Sequence, residues 1–528
     1  MSVDAAAPQV APAPEQEGIG WRGAVAGALG AATALAVIEV LSLLDSTGDS
    51  VTEATGNSFI DAFAASLKEI AVQWFGTNDK AALLIGTAVI SMLIGAALGT
   101  QALTRPLTVY VGFGAFAALG IVTSLDDPLA SPVVSILSSV LGALAGVGVT
   151  IGLSRRWLAA EHREEQAPVA AAGLARRTVV VDGSIAAAAL LFGVGIARSI
   201  KASAREVASR VTVALPRATP KVRVPAATLD KGAEQITGIS PYVTPTKDFY
   251  RIDTLFRAPV VNEANWKLTI GGMVQRELTF TYDELLARPL VEVPITMQCV
   301  SNEVGGDLIG TARWTGIPLA KLLEEAGVDA KAEQVIGESV DGFTAGFPVE
   351  VALDGRDAML VLGMNGRTLP AEHGFPARLV VPGLYGYVSA TKWLKEIRLT
   401  TWDEEGYWIP RGWSRLGPIK TSSRIDVPAG GSVAAGRQAI AGVAWAPHRG
   451  IDRVEVQVDH GPWQRATLGP TASDDTWVQW WLDWDAPSGD HRIRVRATDG
   501  TGKTQTAQWA SPEPDGATGY HSIGVTVE

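Results

Sequence analysis

The chain has 528 residues with one cysteine, six histidines, 47% hydrophobic residues and a formal net charge of −11. That acidity argues against nucleic acid as a partner, which needs a basic face, and a single cysteine excludes an intramolecular disulfide. The length suits about three domains, and the mean hydropathy of +0.18 reflects apolar residues concentrated before residue 200.

Residues 1–20, rich in Ala, Pro, Glu and Gln with no apolar period, read as a disordered tail. Residues 21–200 read as an all-α membrane domain. Five stretches there, Gly23–Leu44, Lys80–Thr100, Pro106–Leu125, Ser131–Leu153 and Thr178–Ile196, are each near the roughly 20 apolar residues a transmembrane helix needs. Three contain a small-xxx-small pair, Gly23/Gly27, Gly95/Gly99 and Gly142/Gly146, which lets helices approach closely. Between the first two spans, 59–74 has the amphipathic spacing of a helix lying on the membrane surface, with Phe59, Phe63, Leu67 and Ile70 on one face.

Short-loop charges orient the spans. Arg22, Arg105, Arg155, Arg156, Arg163, Arg176 and Arg177 fall on one side, and Asp45, Asp49, Glu53, Asp126 and Asp127 on the other. The positive-inside rule then puts the N-terminus in the cytoplasm and the C-terminal half outside the cell membrane. Arg176-Arg177, before an alanine-rich apolar segment, fits either this rule or an internal twin-arginine export signal. Glu39 lies within the first span but near its end, so it either serves a function inside the membrane or reaches the headgroups. No span holds a histidine, which excludes a bundle heme held by two of them.

Residues 201–225, with Lys201, Arg205, Arg210, Arg217, Lys221 and Arg223, read as a linker near anionic lipid. From 226 to 402 the pattern is α+β. Trp266 to Ile270 alternates like a half-buried strand, Thr281-Tyr282-Asp283-Glu284 is a capping box, and Pro318 to Ala326 is a helix ended by Gly327. A strand over Ala358 to Gly363 closes at the Asn365-Gly366 turn. Cys299 follows the β-type run from Val291 to Ile295 and precedes the polar segment Ser301 to Asp307. It therefore sits where a strand ends in a loop, the usual place for a site. Residues 403–528 contain alternating strands such as Val454 to Val458 and Ile493 to Ala497, expected to form an all-β immunoglobulin-like sandwich with most of Trp477, Trp480, Trp481 and Trp484 in its core.

Downstream of Cys299 come Ala312-Arg313-Trp314-Thr315-Gly316, Ser339-Val340-Asp341-Gly342-Phe343, Met364-Asn365-Gly366, His373-Gly374-Phe375-Pro376-Ala377-Arg378 and Thr391-Lys392-Trp393-Leu394. In order and spacing these resemble the sulfite oxidase family of molybdopterin enzymes, over roughly residues 226–528. The resemblance implies a molybdenum–molybdopterin cofactor with Cys299 as metal ligand and catalytic residue. A soft thiolate suits a redox metal. It also implies that Phe249, Tyr250, Arg251, Asp341, His373, Arg378, Ser389 and Lys392 bind the pterin, although the spacing before Lys392 differs by one residue from the family's. A homodimer through the C-terminal domain is implied as well.

The expected chemistry is oxygen-atom transfer to or from a small sulfur- or nitrogen-containing substrate. Where sulfite-oxidising members carry an arginine after the Asn that follows the cysteine, this chain has Glu303, with Asp307 nearby. That departure favours a neutral S-oxide or N-oxide over the sulfite dianion. Tyr407, Trp408 and Trp413 around Arg411 are pocket candidates. Electrons would be exchanged with a separate protein or a membrane quinone. Two other classes remain: a non-catalytic membrane receptor with an Ig-like ectodomain, and a cysteine hydrolase, which would need His373 beside Cys299.

Overall fold

The computed structural model describes residues 20–45, 50–59, 79–165, 177–184, 187, 194–196, 199–200, 213–221, 236–255 and 258–528. The chain forms two compact units that divide after Arg205.

In the first unit, helices Gly20–Leu41, Asp79–Gly99, Pro106–Leu125 and Pro132–Glu165 are long and apolar enough to cross a membrane. Large apolar side chains on them, Leu93, Leu107, Val133 and Leu144 among them, stay exposed, the pattern of helices that face an apolar solvent. Residues 185–186 and 188–193 of the fifth expected span and nearly all of the 59–74 surface helix lie outside the described residues, as do Arg176 and most of the 201–225 linker. The fourth helix continues past the expected end at Leu153 to Glu165. Trp157 in that extension is fully buried with Ala26 and Val179, and Arg22 pairs with Glu161 at 2.7 Å, so packing carries the helix beyond its apolar stretch. At the opposite end the Ser131 amide donates to Asp45 Oδ2 at 2.7 Å. Glu39 is buried and accepts from the Ser50 hydroxyl at 3.0 Å, so its carboxylate turns into the protein.

The small-residue pairs set the helix contacts. A Cβ on Gly27 would lie 1.9 Å from the Gly95 carbonyl oxygen, and one on Gly99 2.1 Å from that of Gly23. Gly142 and Gly146 meet the first helix at the Ala34 and Gly30 carbonyls, at 2.9 and 3.0 Å. These obstacles are backbone, which cannot rotate away. Gly27→Val is therefore expected to destabilise the helix pair by at least the roughly 1–3 kcal/mol of ordinary overpacking. Thermal melts in detergent check this against Gly148→Val, at a glycine with open space around it.

In the second unit two sheets share one apolar core. The first orders Thr219–Pro220, Val291–Gln298, Ile309–Pro318, Met359–Met364 and Arg378–Val380, with Arg367–Thr368 paired beside Met359–Met364. The second orders Leu278–Thr281, Lys267–Gly272, Leu394–Thr400, Gln334–Ser339 and Thr344–Pro348. The capping box at Thr281 is formed with Glu284 in both directions, and Gly327 ends helix Leu319–Ala326 in the left-handed conformation. These start and stop signals act locally, which is why the sequence reveals them.

Residues 422–527 build two more sheets, of four and five strands, around a separate core that includes Trp480, Trp484, Val454 and Val495. Trp477 belongs elsewhere. It packs in a third cluster with Tyr242, Val300, Tyr385 and Tyr387, and its indole donates to the Tyr242 carbonyl at 2.8 Å. It thus joins the C-terminal sheets to the cysteine-bearing part of the unit.

Candidate active site

Cys299 is the first residue beyond strand Val291–Gln298 and is buried. Its amide donates to the Leu308 carbonyl at 3.0 Å, and its own carbonyl accepts from the Asn302 amide at 3.1 Å. The Asn302 side chain closes the loop by accepting from the Leu308 amide at 2.8 Å. Gly305 has φ +82°, and a Cβ there would meet the His521 ring at 2.4 Å, so the loop is pressed against the last strand.

The C-terminal sheets hold the approach to the cysteine as well. The Thr296 amide donates to the Asp475 carbonyl at 2.9 Å, the Trp445 indole to Gln298 Oε1 at 2.8 Å, and Arg424 to the Gly306 carbonyl at 2.7 Å. A cysteine loop held by contacts from both groups of sheets keeps one position, as a ligand or catalytic group must.

Several of the expected pterin residues gather with one another, and Tyr250 among them lies within the electrostatic reach of Cys299. Phe249 stacks on Tyr250 with ring centroids 5.1 Å apart, and its edge-on neighbours are His373 at 5.7 Å and Trp314 at 5.6 Å. The Arg378 guanidinium lies over Trp314 at 5.2 Å. Gly374, with φ +109°, sits where an added Cβ would be 3.0 Å from Lys392 and 3.1 Å from Arg378. Only glycine allows the chain to turn between these two cations. The Val340 amide donates to the Trp393 carbonyl at 2.9 Å, which brings the Asp341 turn to the same segment. The Asp341 carboxylate accepts from the Phe343 amide at 3.2 Å. Ser389 sits in the short helix Gly386–Ser389, where its hydroxyl donates to the Tyr385 carbonyl at 3.0 Å.

Three residues joined to this group were not singled out from the sequence. Asp253, with only 1% of its side chain exposed, takes Arg251 on one oxygen at 2.6 Å and Lys392 on the other. Trp314 supports Arg378. Trp393, at φ +49°, lies under the Lys392 ammonium at 4.7 Å and donates to the Ala371 carbonyl at 2.7 Å. A left-handed tryptophan is a strained conformation of the kind that clusters at functional sites. Phe249-Tyr250-Arg251-Ile252-Asp253 contains the signal for Asp253, since a carboxylate two residues from a candidate arginine is a natural partner.

Electrostatics follow from burial. Arg378 is buried, donates to the His373 carbonyl at 3.1 Å, and pairs with no carboxylate among the described residues; desolvation brings it down to about 10. A buried guanidinium without a counter-charge suits an anion. Burial, followed by the charge of Cys299, raises Tyr250 far above the usual phenol value, so its hydroxyl keeps its proton at neutral pH. His373 is lowered to about 4, first by desolvation and then by Arg378, and its Nε2 lies 3.1 Å from the Thr246 carbonyl.

A histidine held below its unfolded pKa stays neutral in the fold while the unfolded chain takes up a proton. Its stabilisation is complete above about pH 6.5 and is lost as the pH falls toward 4. His373→Asn is expected to flatten that loss by about 2–3 kcal/mol, at about 1.4 kcal/mol per pKa unit. Unfolding curves of both proteins at pH 7.5 and 4.5 measure it.

No group of three His, Cys, Asp or Glu side chains that could hold a metal occurs among the described residues. A metal at Cys299 would take its remaining ligands from a cofactor, and the buried arginine and aromatic wall beside the cysteine suit a planar, anionic one. Cys299, Tyr250, His373, Arg378 and Lys392 fit such a group.

Residues 256–408 match the family described as oxidoreductase molybdopterin binding domain. Mitochondrial sulfite oxidase of Mus musculus is 30% identical over 272 residues, covering 43% of this chain and 49% of that protein. Nitrate reductase [NADH] 1 of Arabidopsis thaliana is 29% identical over 194 residues, covering 32% and 21%. The crystal structure of the sulfane dehydrogenase SoxCD from Paracoccus pantotrophus aligns at 25% identity with a TM-score of 0.47, covering 54% of this chain and 84% of that one. The chain spans about half the length of the mammalian sulfite oxidases it matches.

Proposed function

We propose, on the premise that residues 256–408 form a molybdopterin-binding oxidoreductase domain of the sulfite oxidase type, that this protein is a membrane-anchored reductase of small S-oxides or N-oxides. The observation that carries the cofactor assignment is the buried Arg378, with no carboxylate partner among the described residues, packed with Tyr250 and His373 beside Cys299. The balanced reaction is R2SO + 2 e− + 2 H+ → R2S + H2O. When bound, the molybdenum cofactor would supply the two-electron redox couple for the oxygen-atom transfer.

The chain's own residues supply the rest. The Cys299 thiolate would hold the metal. Arg378 would balance the anionic cofactor and Lys392 would orient its phosphate side, while Arg251, held with Lys392 on Asp253, would lie along the pterin. Tyr250 remains a hydrogen-bond donor, and the neutral His373 positions Phe249 without adding charge. Tyr387, Trp413 and Trp408 contact one another in turn, with ring centroids 5.7 and 6.2 Å apart, in the apolar cluster that also holds Val300, the residue after the cysteine, and would form an apolar wall that excludes water from the substrate. Arg411 lies over Tyr407 at 3.7 Å in the same wall.

Glu303 and Asp307 are exposed on the cysteine loop, where a dianion would need cations. The substrate preference is therefore for a neutral oxide. Electrons come from a separate protein or a membrane quinone, the membrane unit keeps the N-terminus cytoplasmic with the catalytic unit outside, and the immunoglobulin-like C-terminal domain makes a homodimer.

The test is turnover of the full chain, purified from a host that makes the cofactor, with methionine sulfoxide against sulfite. The kcat/KM for the S-oxide is expected to exceed that for sulfite by at least about tenfold, the factor that some 1.4 kcal/mol of charge repulsion produces. Glu303→Arg should move the ratio toward sulfite. A native preference for sulfite sinks the reductive reading.

A further inference from the structure

The Asn365-Gly366 turn does more than join two strands. Both residues are left-handed, at φ +52° and +77°, as a two-residue hairpin turn requires, and glycine at either position would serve the backbone equally well. The Asn365 carboxamide reaches further. Its Oδ1 accepts from the Arg313 amide at 2.9 Å, and its Nδ2 donates to the Thr244 carbonyl at 3.0 Å and to the Thr246 hydroxyl at 3.1 Å. Both ends of the group are engaged, and every partner lies far away in sequence.

Those two threonines open the segment that carries three of the pterin candidates. Thr244 is tied to strand Ile309–Pro318, donating its amide to the Thr311 carbonyl at 2.8 Å and accepting the Thr311 amide on its hydroxyl at 3.2 Å. Thr246 begins the single turn Thr246–Asp248, which leads directly into Phe249, Tyr250 and Arg251. The Thr246 carbonyl can only accept, so it fixes the proton of His373 on Nε2, 3.1 Å away. One side chain therefore joins the hairpin, the strand paired with that of the cysteine, and the stretch from Thr244 to Arg251.

We propose that Asn365 is a positioning residue for the cofactor site: its carboxamide clamps Thr244 and Thr246 in the conformation from which Phe249, Tyr250, Arg251 and His373 meet the pterin. The link to a pterin rests on the reading above. The clamp itself belongs to the cofactor-free chain and is measured without it.

Two substitutions separate the clamp from the turn. Asn365→Gly keeps the left-handed turn and removes all three side-chain bonds, whereas Asn365→Asp keeps the shape and the acceptor for Arg313 but sets a carboxylate against the Thr244 carbonyl. The full chain is prepared from a host unable to make the cofactor and from one that makes it. In the cofactor-free form, hydrogen exchange over residues 244–251 should quicken by about tenfold or more in both variants, the factor that an unmade hydrogen bond produces, with strand Ile309–Pro318 unchanged. In the loaded form, molybdenum retained after gel filtration should fall by about tenfold, with an altered Mo(V) resonance in what remains. Native-like exchange in Asn365→Gly would reduce the residue to a turn former and overturn the proposal. Faster exchange with unchanged metal retention and resonance would overturn its part in the site. If the native chain takes up no molybdenum, the reading above fails, and the exchange result alone decides whether Asn365 clamps the segment.

Discussion

Cys299→Ser is expected to abolish turnover while leaving the fold intact. The backbone at this position is fixed by bonds to Leu308 and Asn302 that do not involve the sulfur, and serine differs only by a smaller, harder atom. The unfolding free energy should therefore change by less than about 1 kcal/mol, as for other near-isosteric exchanges. A neutral hydroxyl is a poor ligand for a metal that prefers thiolate. Activity should fall by more than the roughly 10–100-fold that loss of a supporting residue around a metal costs. Steady-state rates beside circular dichroism of the same preparations separate this from simple unfolding.

Arg378→Met is the second large effect, and its sign distinguishes a cofactor site from a structural one. In the apoprotein the guanidinium is buried with backbone oxygens and the Trp314 ring as its partners. Burying an ion without its counter-ion costs several kcal/mol. A methionine of similar length removes that cost, so the apoprotein should be as stable as the native chain or more so. Cofactor retention should fall by one to two orders of magnitude, as about 1.5–3 kcal/mol of charge-assisted hydrogen bonding is lost. If the arginine were there only to hold the fold, the variant would lose stability and keep whatever cofactor it binds. Melting of the cofactor-free forms, together with pterin content after gel filtration, gives both readouts.

What could be read in the sequence was what is local or ordered along the chain. The strand before Cys299, the capping box at Thr281 and the left-handed Gly327 need only a few neighbouring residues, and all three are in the fold. The glycine pairs of the apolar helices were visible as spacing, but their partners were not. That Gly23 and Gly27 meet Gly95 and Gly99 depends on how distant helices pack.

The same limit governs the site. Phe249, His373, Arg378 and Lys392 are visible as ordered motifs, and Asp253 as a neighbour of Arg251, whereas the sharing of Asp253 with Lys392 and the Trp314 platform under Arg378 appear only when segments far apart in sequence come together. Of the four tryptophans crowded between 477 and 484, most of which the sequence places in the sandwich core, Trp477 stands just before strand Val478–Ala486 and reaches across to Tyr242. Helix Pro132–Glu165 outran its apolar stretch for a related reason: Trp157 and Glu161 find partners on another helix, which no hydropathy window includes.

The most direct test of the account is the molybdenum and pterin content of the full chain purified from a host that makes the cofactor, beside Cys299→Ser prepared in the same way. Near-stoichiometric molybdenum with a pterin in the native protein, and loss of the metal or an altered Mo(V) resonance in the variant, is the predicted result. A well-folded native protein with neither molybdenum nor pterin would contradict the account and bring forward the reading of the chain as a non-catalytic membrane receptor.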